Sequence, residues 1–333
     1  MIWLWVGLAL LVLAALVPVY LFHLHIFRKY LPFLYRIFQE KPLFIVPQGQ
    51  PIPNAEEVVL ATTNNVKLHG CYWKAQGPRK GTILFGLEYG SNCWSCQPYC
   101  DFLRENGYDI FAFETRGQGT SVAQEGYDPL QWVTTFEVDD FRAALAYLKE
   151  RADADPRGIG FFGLSKGGSA GLFLAAEDRY IRCCAVDGIF STYTTMVPYM
   201  MKWVAIFTNR RIIIDCLPKW YFRYAAFRGL QNLERERHCV FPSLERVIRR
   251  VAPRPLFMIH GSADNYIKPE MAQALFRMAG TPKEFWLVDG AKHNQSIIQA
   301  GDEYKKRLLA FFDKHLAEKK IDPARPALAV GRG

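Results

Sequence analysis

The chain has 333 residues, half of them hydrophobic and 14% aromatic, with a formal net charge of +9. That composition supplies a full core and excludes a globally disordered chain, and the length allows one large α/β domain or two small ones behind a short N-terminal segment. Eight cysteines (Cys71, Cys93, Cys96, Cys100, Cys183, Cys184, Cys216 and Cys239) have irregular spacing. A chain this long and apolar needs no disulfide framework. They read as mostly reduced, buried thiols, which favours a cytoplasmic domain. Cys93 and Cys96 form a CxxC, but a second CxxC and a nearby His cluster are missing, so packing is the better reading than zinc.

Residues Ile2–Phe22 form an uncharged run of 21 residues, the length a helix needs to cross a bilayer core of roughly 30 Å. Trp3 and Trp5 at one end, and Tyr20 and Phe22 at the other, occupy aromatic-belt positions. No charge precedes the run and no small-residue cleavage site follows it, which favours a retained anchor over a signal peptide. Arg28, Lys29, Arg36 and Lys41 follow, so the positive-inside rule places the bulk of the chain in the cytoplasm. Residues 23–40 have an apolar side of Leu31, Phe33, Leu34, Ile37 and Phe38. That fits either a helix lying on the membrane surface or one packing on the globular domain. Residues 42–53 carry four prolines and read as an extended linker, completing a juxtamembrane segment over 23–56.

One large domain is expected over 57–320. Residues 57–61 and 66–73 flank a Thr-Thr-Asn-Asn turn and predict a hairpin. Continuous apolar strands are predicted at 82–87, 109–114, 159–162, 181–186, 255–259 and 284–288. Helices are predicted near 93–106, 137–151, 167–176, 270–278 and 303–315. This alternation predicts an α/β fold with a mostly parallel sheet covered on both faces. An insertion over 190–250 is rich in aromatic residues, and eleven basic against four acidic residues give it +7. Beside an anchor, it reads as a helical lid that either touches anionic headgroups or is merely solvated. The tail 321–333 is expected to be disordered.

The chemistry sits in Gly163-Leu164-Ser165-Lys166-Gly167, a G-x-S-x-G between a predicted strand and a predicted helix. A serine there occupies a strained turn whose neighbours must lack bulk, and the helix start turns N–H groups toward a developing oxyanion. A serine hydroxyl needs a base. Of seven histidines, His293 lies in a loop just past a predicted strand, where a base can reach the serine. The acid that orients it is Asp264, past the strand 255–259, or Asp187, past the strand 181–186. The order Ser165, Asp264, His293 is the one this architecture uses.

On these residues, and on Phe113–Ser121 and Ile259–Asp264, the chain from about 57 to 316 resembles the α/β-hydrolase superfamily. Within it, the branch is that of serine aminopeptidase-like and related acyl hydrolases with a helical lid. The resemblance implies Ser165 as nucleophile, Asp264 as acid and His293 as base. It also implies an oxyanion hole from the backbone N–H of Lys166 and a second donor near Leu87 or Glu88. Arg116–Ser121 is similar to the family's structural turn after the fourth strand. Two departures stand out. The oxyanion loop reads Phe85-Gly86-Leu87-Glu88 rather than His-Gly, and Glu88 could repel an oxyanion unless turned away or paired, with Lys166 as one possible partner. The expected activity is hydrolysis of an ester or thioester, with a lipid-like substrate favoured and no metal, cofactor or nucleic acid; the partners expected are an acyl substrate and membrane lipid. The alternatives are a peptidase, with Glu234, Glu236 or Glu245 holding the substrate amine, and a non-catalytic membrane binding module.

Overall fold

The computed structural model describes residues 2–39, 46, 48–207 and 218–317. Residues 42–45 and 47 of the expected linker, and the whole of the expected tail, lie outside these residues. Eight strands form one sheet: β1 (Glu56–Ala61), β2 (Lys67–Trp73), β3 (Gly81–Gly86), β4 (Tyr108–Phe113), β5 (Ile159–Leu164), β6 (Ile181–Asp187), β7 (Leu256–Gly261) and β8 (Lys283–Val288). Their order is β1-β2-β4-β3-β5-β6-β7-β8. β1 and β2 make the expected antiparallel hairpin, β2 pairs antiparallel with β4, and every other pairing is parallel.

Parallel strands must be connected across a face, so helices cover both sides and the central strands read as unbroken apolar runs. Successive side chains then go to opposite cores. On one face Leu84, Phe161 and Met258 join the core beneath α3 (Thr135–Glu150) and α4 (Ser165–Glu177). On the other Phe85, Phe162 and Phe257 join the core beneath α2 (Gln97–Glu105) and α7 (Asp302–Phe312). Full burial of one such side chain contributes roughly 1.5–3 kcal/mol. The seven described cysteines are all buried thiols, which explains their neglect of any spacing rule: they behave as small apolar residues. The Arg116–Ser121 turn closes over Glu114. One Glu114 oxygen accepts from Cys93 N at 3.0 Å, and the other from Thr120 N at 2.6 Å and Ser121 N at 3.1 Å.

The segment between β6 and β7 holds α5 (Thr192–Phe207) and α6 (Lys219–Glu236). Phe222, Ala225, Ala226, Gly229, Leu230 and Leu233 form the buried stripe of α6, at the spacing an amphipathic helix dictates. They close a third core with Trp132, Phe190, Met196 and Phe241.

The N-terminal helix differs from its sequence reading. α1 runs unbroken over Ile2–Gln39, through Pro18 and Pro32, because charges such as Arg28 and Lys29 do not interrupt backbone hydrogen bonds. Its first part is long and apolar enough to cross a membrane, and its most apolar stretch is entirely unburied. Its second part packs on the domain, the second of the two arrangements expected for residues 23–40. His23 Nδ1 meets the Tyr221 hydroxyl at 3.1 Å, Phe27 packs on Tyr224, and Trp132 Nε1 donates to Phe38 O at 3.0 Å.

Candidate active site

β5 ends at Leu164 and α4 begins at Ser165, with no residue between them. The turn is that abrupt because Ser165 adopts φ +45°, a region costly for a residue with a side chain and typical of functional strain. Its neighbours must then be bare. A Cβ on Gly167 would lie 2.1 Å from Leu87 O, and one on Gly163 would lie 2.6 Å from the Gly168 Cα. The two glycines of the motif are therefore steric requirements of the elbow.

From this elbow the Ser165 hydroxyl reaches His293 Nε2 at 2.9 Å, and His293 Nδ1 lies 2.6 Å from Asp264 Oδ2. His293 stands in the loop after β8 and Asp264 in the loop after β7, so the carboxyl ends of β5, β7 and β8 converge. The other oxygen of Asp264 accepts from the backbone N–H groups of Tyr266 and Ile267, each at 2.8 Å. Those bonds stabilise the charged carboxylate and fix its plane. The Tyr266 ring packs edge-on against the imidazole with centroids 5.0 Å apart. A hydroxyl, an imidazole and an oriented carboxylate in this sequence can pass a proton from oxygen to nitrogen while the resulting imidazolium is stabilised.

Asp187, the other candidate acid, is fully buried at the end of β6. Its oxygens accept from Ser296 Oγ at 3.0 Å and Tyr304 Oη at 3.1 Å. Burial pushes its carboxyl up to about 6 despite those bonds. It anchors the following helices, and the structure gives the imidazole's Nδ1 to Asp264 instead. His260, at the end of β7, lies behind Asp264. Its Nε2 donates to Ile267 O at 2.8 Å, and burial lowers its pKa, keeping it neutral.

The oxyanion candidates are backbone groups. Lys166 occupies the first turn of α4, where N–H groups have no intrahelical partner. Leu87 packs directly against Gly167. The suggested Lys166–Glu88 contact does not form. The Lys166 ammonium turns into the core, donating to Leu130 O at 2.5 Å and to Glu137 Oε1 at 2.8 Å. Burial alone would raise the Glu137 carboxyl. The charge and hydrogen bond of Lys166, with Tyr127 and Thr134, more than reverse this and hold it below the usual range. Replacing Lys166 with methionine removes one half of this buried pair. A stability loss of about 3–5 kcal/mol in chemical denaturation is expected, and replacing Glu137 with leucine as well should recover much of it.

Glu88 instead accepts from Asn294 Nδ2 at 2.5 Å. Asn294 follows His293 directly and holds φ +55°, a conformation asparagine tolerates. Its carbonyl accepts from the Tyr99 hydroxyl at 3.2 Å. Asn294, Tyr99 and Tyr266 were not singled out by sequence; only the position of Asn294 beside the candidate base offered a cue. Of the acids proposed for an amine site, two are engaged elsewhere and the third faces solvent. Glu245 accepts from Thr194 N at 2.6 Å and Ser243 Oγ at 2.8 Å, Glu234 accepts from Phe241 N at 2.9 Å, and Glu236 is exposed at the end of α6.

The prolyl oligopeptidase family profile matches residues 94–319. Escherichia coli (strain K12) YfhR is 24% identical over 265 residues, 78% of this chain and 80% of that protein. The Arabidopsis thaliana alpha/beta hydrolase domain-containing protein WAV2 is 24% identical over 302 residues, 85% of this chain and 90% of that one. Among solved structures, the Pyrococcus furiosus esterase Pf2001 superposes with a TM-score of 0.61 at 23% identity, over 83% of this chain and 97% of the esterase.

Proposed function

We propose a function from the premise that this chain belongs to the prolyl oligopeptidase family of α/β-hydrolases. It acts as a membrane-tethered serine hydrolase that cleaves an ester or thioester through an acyl-enzyme on Ser165. The observation that carries this reading is the unbroken hydrogen-bonded chain Ser165–His293–Asp264. His293 Nε2 takes the hydroxyl proton as Ser165 Oγ attacks the carbonyl, while Asp264 holds the Nδ1–H tautomer. The backbone N–H groups of Lys166 and Leu87 receive the developing oxyanion. The imidazolium then protonates the leaving group, and the neutral imidazole activates water for deacylation. The same chain of contacts disfavours a purely non-catalytic binding module.

The tether is α1, with Arg28, Lys29 and Arg36 on the cytoplasmic side. Because α1 continues into the contact with α6, it holds the lid near the bilayer. Trp220, Tyr224 and Phe227 expose 66%, 43% and 43% of their surfaces on one face of α6, interleaved with Arg223 and Arg228. That pattern suits an interface with anionic lipid, and it supports a lipid-like acyl substrate. A peptidase is the second reading, favoured by the family's membership and by the carboxylate of Glu88 beside the base.

A panel of p-nitrophenyl esters of rising chain length, run beside aminoacyl p-nitroanilides, separates the two. The esterase reading expects ester turnover with kcat/KM at least 100-fold above that of the anilides. Faster cleavage of the anilides would hand the assignment to the peptidase.

A further inference from the structure

A cavity of about 390 Å³ opens beside the imidazole, lined chiefly by Glu88, Tyr99, Tyr266, His293, Asn294 and Ile298. Its walls mix Tyr99, Tyr266 and Ile298 with the polar Asn265, Lys292, Asn294 and Gln295, and Glu88 is the one acidic residue among them. Glu88 follows Leu87 on the loop after β3, and its Oε2 is tied to the residue after His293. Its Oε1 makes no hydrogen bond among the described residues. The carboxylate thus bridges the loop of the oxyanion candidate and the loop of the base, with one oxygen left for a ligand. Lys292, the other charged group in the lining, is an exposed residue.

Burial pushes the Glu88 carboxyl upward, and the Asn294 hydrogen bond and the charge of His293 offset this only in part. A partly buried carboxylate beside aromatic walls has exchanged part of its hydration for one amide hydrogen bond, which leaves its charged form under-solvated. A cation entering the cavity would replace that lost solvation, and aromatic walls accept an ammonium through their ring faces. In a chain of net charge +9, this is also a local reversal of sign that discriminates against anionic ligands.

We infer that Glu88 is a specificity residue, and that the substrate cleaved at Ser165 carries a cationic ammonium group which docks against Glu88 Oε1 in this cavity. The inference rests on the hydrolase reading above and adds a substrate class to it. The ammonium belongs either to the acyl part or to the leaving group, and the test separates these.

Titration calorimetry with butylammonium and its neutral counterpart 1-butanol reads the site without turnover. The purified protein should bind butylammonium at least tenfold more tightly than butanol, and Glu88→Gln should remove most of that margin. Matched substrates then locate the charge. One pair is p-nitrophenyl 6-aminohexanoate against p-nitrophenyl heptanoate; the other is butyrylthiocholine against its uncharged 3,3-dimethylbutyl thioester. In one pair the parent should favour the cationic member by about tenfold in kcat/KM, and Glu88→Gln should bring the ratio near unity. Equal binding of butylammonium and butanol overturns the proposal, and so does a cation preference that survives Glu88→Gln or appears in neither substrate pair. Ammonium binding that depends on Glu88, in a protein that turns over no ester and labels with no serine-directed probe, sinks the hydrolase reading and leaves the site standing.

Discussion

Replacing Ser165 with alanine is expected to lower kcat for the best ester by a factor on the order of 10⁶, with only a small change in KM. The hydroxyl is the one atom in the chain Ser165–His293–Asp264 that forms a bond to substrate. Without it the imidazole has nothing to deprotonate but water, and what remains is the residual acceleration of roughly 10³–10⁴ that binding and the oxyanion donors give. Alanine keeps a Cβ at φ +45°, so the backbone strain stays and no large gain in stability follows. Steady-state kinetics on the folded variant checks this. A loss of tenfold or less would mean that ester cleavage proceeds elsewhere.

Changing Asp264 to asparagine should cost about 10⁴ in kcat, whereas Asp187→Asn should cost far less. The amide keeps the size of the acid but can donate toward His293 Nδ1, which selects the tautomer whose Nε2 carries a proton and cannot accept one from Ser165. Asp264 sits 2.6 Å from Nδ1, whereas the oxygens of Asp187 are occupied by Ser296 and Tyr304. Asp187→Asn should therefore show itself mainly as lost stability. Comparing kcat and the denaturation midpoint for both variants separates a group that orients the base from one that ties down the last helices. Equal kinetic losses for the two would place the acid wrongly.

Those two aspartates also show where sequence reasoning stops. Both follow buried strands, and both lie in chain order between the serine and the histidine. Which one meets His293 depends on how far each loop reaches across the sheet edge, and no local pattern encodes that. The strands themselves were legible to within a residue or two, because a parallel sheet covered on both faces demands unbroken apolar runs such as those of β4 and β5. The elbow was legible for the same kind of reason: Gly163 and Gly167 are forced by backbone contact. The partner of Lys166 was not, since Glu137 is 29 residues distant and meets it only through the packing of α3 on α4. The partner of Glu88 was hidden likewise, 206 residues away. The lid resisted division because an aromatic, basic segment gives a weak period. Proline inside α5 at Pro198 argues against the helix that packing nevertheless stabilises. The N-terminal helix was divided at His23, where the unbroken apolar run ends, but a change of polarity marks a change of surroundings and not an end to helical hydrogen bonding.

The central claim is that the strained serine at the end of β5 is activated by His293 and forms a covalent bond. It is tested most directly by treating the protein with a fluorophosphonate and locating the adduct by peptide mass spectrometry. A single adduct on the peptide containing Ser165, absent from the Ser165→Ala variant, is the predicted result. No adduct, or one on a different serine that persists in that variant, would contradict the account.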